Sequence, residues 1–347
     1  MKQFLSLSVL LLFGLFFSSS TSQAQTYAHA GEYMTAMAEQ YQQLRQDQWA
    51  YIKAVSRGRG ARKVERKRQA LLQTNREIRG GLRRMKPYEG DASLRDSVIG
   101  YLELCYKVLD EDFAEIVDLE AIAEDSYDLM EAYMAAKDAA NDKLDEANDR
   151  LQTQQQVFAA THHVNLQEAE ETKLSQRLAQ AGLVFDYYNR VYLIFFKVFK
   201  QEIYLMEAVG TGNVSSLLQN QGTLLKFAEE GLAKLDTLST FEGDASLREA
   251  CRKALEFYKA EAEKDAPVLA EFFLKQETMQ NLQQVMETKK RKDLTQEEVD
   301  QFNQAVEDFN AAVNTYNETN ERLNKARSRV INEFNKVSDS FTSTHVR

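Results

Sequence analysis

From Phe302 to Phe341 an apolar or aromatic side chain returns every three or four residues, through Val306, Phe309, Val313, Tyr316, Leu323, Val330, Phe334 and Val337. A spacing that averages 3.5 turns one face of an α-helix toward neighbouring helices, with left-handed, coiled-coil-like packing. Asn320 and Arg327 interrupt the stripe, and polar residues inside a seam specify pairing and register. The rest of the chain agrees with this reading. Only two prolines, Pro87 and Pro267, occur in 347 residues, and glycine is sparse, so long helices meet few breakers. This is not the composition of a sandwich or a Rossmann sheet, and the expected fold class is all-α.

The stretch "YEGDASLR" at 88–95 recurs as "FEGDASLR" at 241–248, an offset of 153. The same offset carries Tyr51 onto Tyr204, Leu71-Leu72 onto Leu224-Leu225, Leu82 onto Leu235 and Leu102-Glu103 onto Leu255-Glu256. Further on, "NDRL" at 148–151 meets "NERL" at 320–323, an offset of 172, so the second copy holds 19 additional residues, roughly "ETMQNLQQVMETKKRKD". The pattern reads as an internal duplication with one insertion. Two tandem up-down helical bundles of about four helices each are expected, forming an elongated body, with copy one at 25–165 and copy two at 166–347. The expected helices cover 27–56, 61–86, the octapeptide to 121, and 126–163. In copy two they cover 183–209, 213–238, 244–292 and 295–340, with a helical lead-in at 166–181. "TQEE" at 295–298 has the form of a capping box.

Each octapeptide falls where one helix ends and the next begins. Gly90 and Gly243 suit the left-handed conformation that closes a helix. Asp91 or Ser93, and Asp244 or Ser246, suit the cap of the following helix, with Ser93–Asp96 and Ser246–Glu249 spaced as capping boxes. Glu89, Gly90, Asp91 and Ser93, with Glu242, Gly243, Asp244 and Ser246, are therefore read as a structural turn. The functional alternative is a small charged site formed by Glu89, Asp91 and Arg95.

The first residues set the compartment. Lys2, the apolar run Phe4–Phe17 and the small residues Ser22 and Ala24 form a signal peptide, 1–24. The run is too short for a transmembrane helix, which needs about twenty apolar residues. The chain is expected to be exported, to the periplasm or cell surface, and not transmembrane once cleaved. The net charge of −10 argues against nucleic acid or anionic membrane as a partner of the whole chain. Cys105 and Cys251 do not occupy equivalent positions of the two copies and are expected as buried thiols.

Signatures of catalysis are missing from the sequence. None of His29, His162, His163 and His345 has a glutamate three residues before it, as di-metal bundles require. HExxH, CxxC, GxSxG, Walker and GxGxxG patterns do not occur. No enzyme activity, cofactor, metal or catalytic residue is assigned. One charged segment stands out, 57–86, which carries twelve Lys or Arg against Glu65 and Glu77. Arg62, Lys63, Arg66, Lys67, Arg76, Arg79 and Arg83 flank its apolar seam. They either pair with the sixteen acidic residues of 103–149 or form a patch for a polyanion such as an acidic glycan or lipopolysaccharide phosphate. A second segment, "LVFDYYNRVYLIFFKVFKQEIYLM" at 183–206, is apolar nearly all round. Such a helix is buried on several sides, and its expected place is the junction of the bundles, with an aromatic ligand groove as the alternative.

The leader, "GARKVERKRQ", "YEGDASLRDSV", "VYLIFFKVFKQE", "LLKFAEEGLAKLDTL" and "FEGDASLR" together resemble a family of all-helical exported surface proteins of leptospires and Bacteroidota. The resemblance implies an envelope location and brings no activity with it. The expected function is that of a non-catalytic envelope or surface protein acting by protein interaction or as a scaffold. The alternative is polyanion or glycan binding through the basic helix, with an envelope protein or an acidic glycan as partner.

Overall fold

A computed structural model describes residues 27–57, 61–112, 124–166 and 172–347. The expected leader, residues 58–60 of the basic segment and the end of the third helix lie outside the described residues. The helices are α1 (Ala30–Ser56), α2 (Ala61–Arg84), α3 (Ser93–Lys107), α4 (Tyr127–Thr161), α5 (Lys173–Thr211), α6 (Val214–Thr237), α7 (Ser246–Ala260), α8 (Ala266–Thr288) and α9 (Gln296–His345). Among the described residues there is no strand, and the fold is all-α. No helix among them is long and apolar enough to cross a membrane.

Several helices start on side-chain caps that occupy amides left free in the first turn. Ser126 Oγ accepts from the Leu129 amide at 3.2 Å, and Asn213 Oδ1 from the Ser216 amide at 2.9 Å. The box before α9 forms as its sequence dictates: Thr295 Oγ1 accepts from the Glu298 amide at 3.2 Å, and Glu298 Oε2 accepts from the Thr295 amide at 3.1 Å.

The chain divides into two compact units, one of residues up to Asn189 with Asp339–Arg347, the other Arg190–Ser338. In the first, α1 packs on α2, α2 on α3, and α3 on α4. Its core includes Tyr33, Tyr51, Leu71, Leu72, Leu82, Leu102, Met130 and Phe158, all essentially inaccessible. In the second, α6 packs on both α7 and α8, around Phe195, Phe196, Leu224, Leu235, Leu255, Tyr258, Leu269 and Leu323. Cys105 and Cys251 are buried free thiols. Burial pushes the Cys105 thiol up to about 12 and Cys251 up as well, which leaves both protonated and unreactive.

Two helices depart from the expected spans. The lead-in, from Lys173 onward, and the helix at 183–209 are one helix, α5, running through Gly182; residues 167–171 of the lead-in lie outside the described residues. A mid-helix glycine costs about 1 kcal/mol, and burial of the flanking Leu178, Ala181, Val184 and Phe185 outweighs that. The helix expected at 244–292 is instead divided by a π turn, Glu261–Asp265, and ends at Thr288. Pro267 lies in the first turn of α8, where its missing N–H leaves no helical bond unmade and the widened turn before it relieves the ring's crowding of a carbonyl. A π turn at Val108–Asp112 follows α3 in the same way.

The octapeptides adopt one local structure, different from the helix closure expected. α2 and α6 end several residues earlier. Tyr88 and Asp91 exchange backbone hydrogen bonds of 3.1 and 2.8 Å, as do Phe241 and Asp244. Both central residues have positive φ: 51° at Glu89 and 89° at Gly90, 51° at Glu242 and 87° at Gly243. That is the geometry of a type I′ hairpin turn. The Ser–acid capping boxes do not form. Asp91 Oδ1 accepts from the Ser93 amide at 2.8 Å and Asp244 Oδ1 from the Ser246 amide at 2.8 Å. Arg95 reaches back to donate to the Met85 carbonyl at 2.8 Å, and Arg248 to that of Leu238 at 3.0 Å. Those carbonyls follow the helix ends and have no intrahelical donor.

Substituting alanine at two glycines of the second unit should therefore have opposite effects. Gly243→Ala places a Cβ in open space but at positive φ, and should cost about 1–2 kcal/mol. Gly222→Ala, within α6 and equally unobstructed, should stabilise by about 0.5–1 kcal/mol. Urea midpoints moving in the same direction would refute the turn assignment.

Candidate functional site

Three places in the molecule concentrate polar or exposed groups: the basic helix α2, a buried charge cluster in the second unit, and the hairpin of α8 and α9. α2 anchors itself by an apolar seam of Leu71, Leu72, Ile78 and Leu82, all buried. Asn75 adds a bond of 3.0 Å to the Leu102 carbonyl, and Thr74 one of 2.7 Å to Asp47. The cations around this seam divide into two groups. Toward the C-terminal end, Arg83 pairs with Glu103. Arg79 lies 3.9 Å from the same carboxylate and over the Tyr106 ring at 4.7 Å, and Arg76 stacks over that ring at 5.3 Å. Arg68, which the sequence did not single out, binds Glu65 at 2.9 Å and the Leu109 carbonyl at 2.8 Å. Toward the N-terminal end Lys63 and Lys67 are half-buried and Arg62 and Arg66 exposed. Arg62 and Arg66 form no ion pair among the described residues.

The turn residues are placed by their structural work. Asp91 additionally receives His162 Nε2 at 2.9 Å, and the imidazole packs against Phe158 and Tyr88. This contact and the Ser93 bonds hold the Asp91 carboxyl below its ordinary value. Among the described residues no group of three or more His, Cys, Asp or Glu side chains is placed to hold a metal ion.

The charge cluster was only half visible in the sequence. Arg327, noted as an interruption of the α9 seam, pairs with Glu202 from α5 and with Glu261 from the π turn after α7. Glu202 is 3% exposed, Glu261 0% and Arg327 8%. Its Nη1 also donates to Asn324 Oδ1 at 2.9 Å. Two carboxyls face one guanidinium where water cannot reach. Burial, and then the neighbouring Glu261, raises Glu202 to about 7. Burial raises Glu261 too, against the pull of Arg327. The cluster therefore favours retention of a proton, and Tyr258, its hydroxyl buried beside it, is pushed well up by burial and both carboxyls. A signal exists in the sequence: at the offset of 153, Trp49 falls on Glu202 and Val108 on Glu261. Acids standing where the other copy is apolar mark positions to inspect.

The part of the hairpin from Ala266 to Ser338 lies in the second unit. Phe272 stacks on Tyr316 at 4.3 Å and on Phe309 at 5.7 Å. A short 3₁₀ turn, Arg291–Asp293, connects the helices. The stretch read from the sequence as an insertion, 277–293, forms the C-terminal part of α8 and most of this connection. From 271 to 318 only Ala305 is buried. Leu274 is 48% exposed and Val285 36%. A shallow groove of about 380 Å³ runs along the pair, lined by Thr278, Leu282, Gln301, Gln304, Ala305 and Asp308. Beyond it the seam changes character, with Leu323, Phe334 and Phe341 fully buried.

Two helical units, each with a type I′ turn between two of its helices and a buried polar cluster, define this chain's class no more narrowly than all-α. Comparison with protein-family models, curated proteins and solved structures gives no match.

The charge cluster predicts a definite pH dependence. A carboxyl whose folded pKa is raised favours the folded state fully below its unfolded pKa, and that contribution is lost as pH rises through the folded value. For Glu202 the window runs from 4.5 to about 7. Glu202→Gln should abolish this slope, so that wild type loses on the order of 3 kcal/mol relative to the variant across the window. A difference independent of pH would refute the assignment. Arg327→Met leaves two carboxyls buried without a cation and should cost about 3–5 kcal/mol at pH 8, less when combined with Glu202→Gln.

Proposed function

We propose that this chain is a non-catalytic, exported helical protein of the cell envelope, in the periplasm or on the cell surface, which acts by binding another protein or as a scaffold. The observation that carries the reading is the α8–α9 hairpin, a pair of long helices that buries a single residue between 271 and 318. Its surface is rich in Asn and Gln and carries Leu274 and Val285 exposed at helical spacing. Exposed apolar side chains bordered by polar ones are characteristic of protein–protein contact surfaces. The insertion enlarges this hairpin, which supports a role for it beyond completing the second core. The shared turn geometry at 88–91 and 241–244 supports descent of the two repeats from one duplicated unit. The sequence resemblance to exported surface proteins of leptospires and Bacteroidota supports the location.

Photo-crosslinking side chains at positions 274 and 285, compared with one at the exposed Gly100, test this reading in intact cells. Discrete adducts are expected from 274 and 285 and none from 100, on a chain whose mass shows residues 1–24 removed. An uncleaved chain, or adducts equally frequent at all three positions, would overturn it.

A second reading, polyanion or glycan binding, draws support from Arg62 and Arg66, which are exposed and unlike Arg79 and Arg83 are not engaged by α3. Retention on heparin and on lipopolysaccharide along a salt series is the test. Binding that falls with salt, and that Arg62→Gln/Arg66→Gln weakens several-fold, is expected if the reading holds. Equal retention of both proteins would remove it.

A further inference from the structure

The interior of the first unit contains a cation that meets no anion among the described residues. Arg45 of α1 is 8% exposed. Its Nε has no hydrogen-bond partner among the described residues, and its Nη1 reaches only the Ser175 hydroxyl, at 3.5 Å. Burial lowers its pKa, and the groups acting on it are the phenols of Tyr101 and Tyr41, with no carboxylate among them. One turn before Arg45 stands Tyr41, nearly one turn after it Gln48, and from α3 comes Tyr101. All three are buried. Among the described residues the Tyr41 hydroxyl and the Gln48 amide nitrogen also lack a hydrogen-bond partner, and the Tyr101 hydroxyl has only the Cys105 thiol beside it. Burial holds both phenols protonated, so each has a hydrogen to donate.

Leaving a guanidinium in a protein interior without a counter-charge is costly, and every orphaned donor around it adds to that cost. The fold does not demand these groups. At the offset of 153, Tyr41, Arg45 and Tyr101 correspond to Ile194, Val198 and Ala254, and Val198 and Ala254 are fully buried. Gln48 corresponds to Gln201, whose amide nitrogen is satisfied by Asn220 Oδ1 at 2.9 Å. The second unit thus has hydrocarbon at three of these positions and a satisfied amide at the fourth. The donors of the first unit are an addition to the framework, and both phenols lie close enough to Arg45 to act on its charge.

We propose that Arg45, Tyr41 and Tyr101 form a binding site for a small anion, held by the guanidinium and the phenol hydroxyls, with Gln48 and Ser175 as further donors. The ligand is a halide, an inorganic oxyanion or the carboxylate of a small organic acid, whose lone pairs accept from these groups while its charge balances Arg45.

Thermal unfolding of the full chain in a zwitterionic buffer, titrated separately with chloride, phosphate and acetate, tests the site and distinguishes its ligand classes. At least one anion should raise Tm saturably, by roughly 5–10 °C at about a hundred times its Kd. Tyr41→Phe/Tyr101→Phe, which keeps the packing, should weaken the response several-fold. Arg45→Met should abolish it, yet be at least as stable as wild type without added anion, since the uncompensated charge is gone. Soaking crystals in bromide should give an anomalous peak beside Arg45 if the site takes halides. Equal, non-saturating responses in wild type and Tyr41→Phe/Tyr101→Phe would overturn the proposal, whether or not Arg45→Met folds. So would a large loss of stability in Arg45→Met without anion, which would place its counter-charge within the chain.

Discussion

An apolar stripe that returns every 3.5 residues must be covered, and how completely it is covered organises this protein. Along α9 the stripe has two regimes. Beyond Leu323 other helices enclose it, and Leu323, Phe334 and Phe341 contact no water. Before that point α8 lies against it through Phe272, and Phe302, Phe309 and Tyr316 remain half-exposed. Helices of this length owe their stability mainly to burial of such faces, since intrinsic propensity alone is marginal. The enclosed half builds a core, and the partly covered half presents a surface.

The two units solve the interior differently although their frameworks correspond. Both carry a type I′ turn braced by an arginine on a carbonyl, and both continue a 15-residue helix into a π turn. Inside, the second unit sets Glu202 and Glu261 against Arg327, an arrangement whose desolvation cost is met only by close pairing and a retained proton. The first unit buries Arg45 among phenols instead. Neither cluster is required to close the framework, because each stands where the other unit is mostly hydrocarbon. Such polar groups cost stability and define specific geometry, the residues from distant helices meeting in one arrangement only.

Local rules made much of this legible in advance. The capping box at Thr295 and Glu298 depends on four consecutive residues and forms as read. Gly90 and Gly243 were recognised as left-handed positions, since few other residues tolerate that φ. They serve a hairpin turn instead of a helix closure, two structures that make the same demand on one glycine. Arg327 was visible as a break in a seam, whereas its partners were not. Glu202 lay inside an apolar segment and Glu261 among many acids, and nothing local joins either of them to α9. Arg45 and Tyr41 gave no signal at all, being ordinary residues of an amphipathic helix until burial removes their water.

The sequence by itself therefore determined the helices, most of their ends and the two matching turns, because hydrogen bonding within a helix, capping and turn geometry act over a few residues. Only the tertiary structure decided which charges are buried, which are paired and which surface is left uncovered. Desolvation is a property of everything packed around a group, and residues far apart in the chain supply that surrounding.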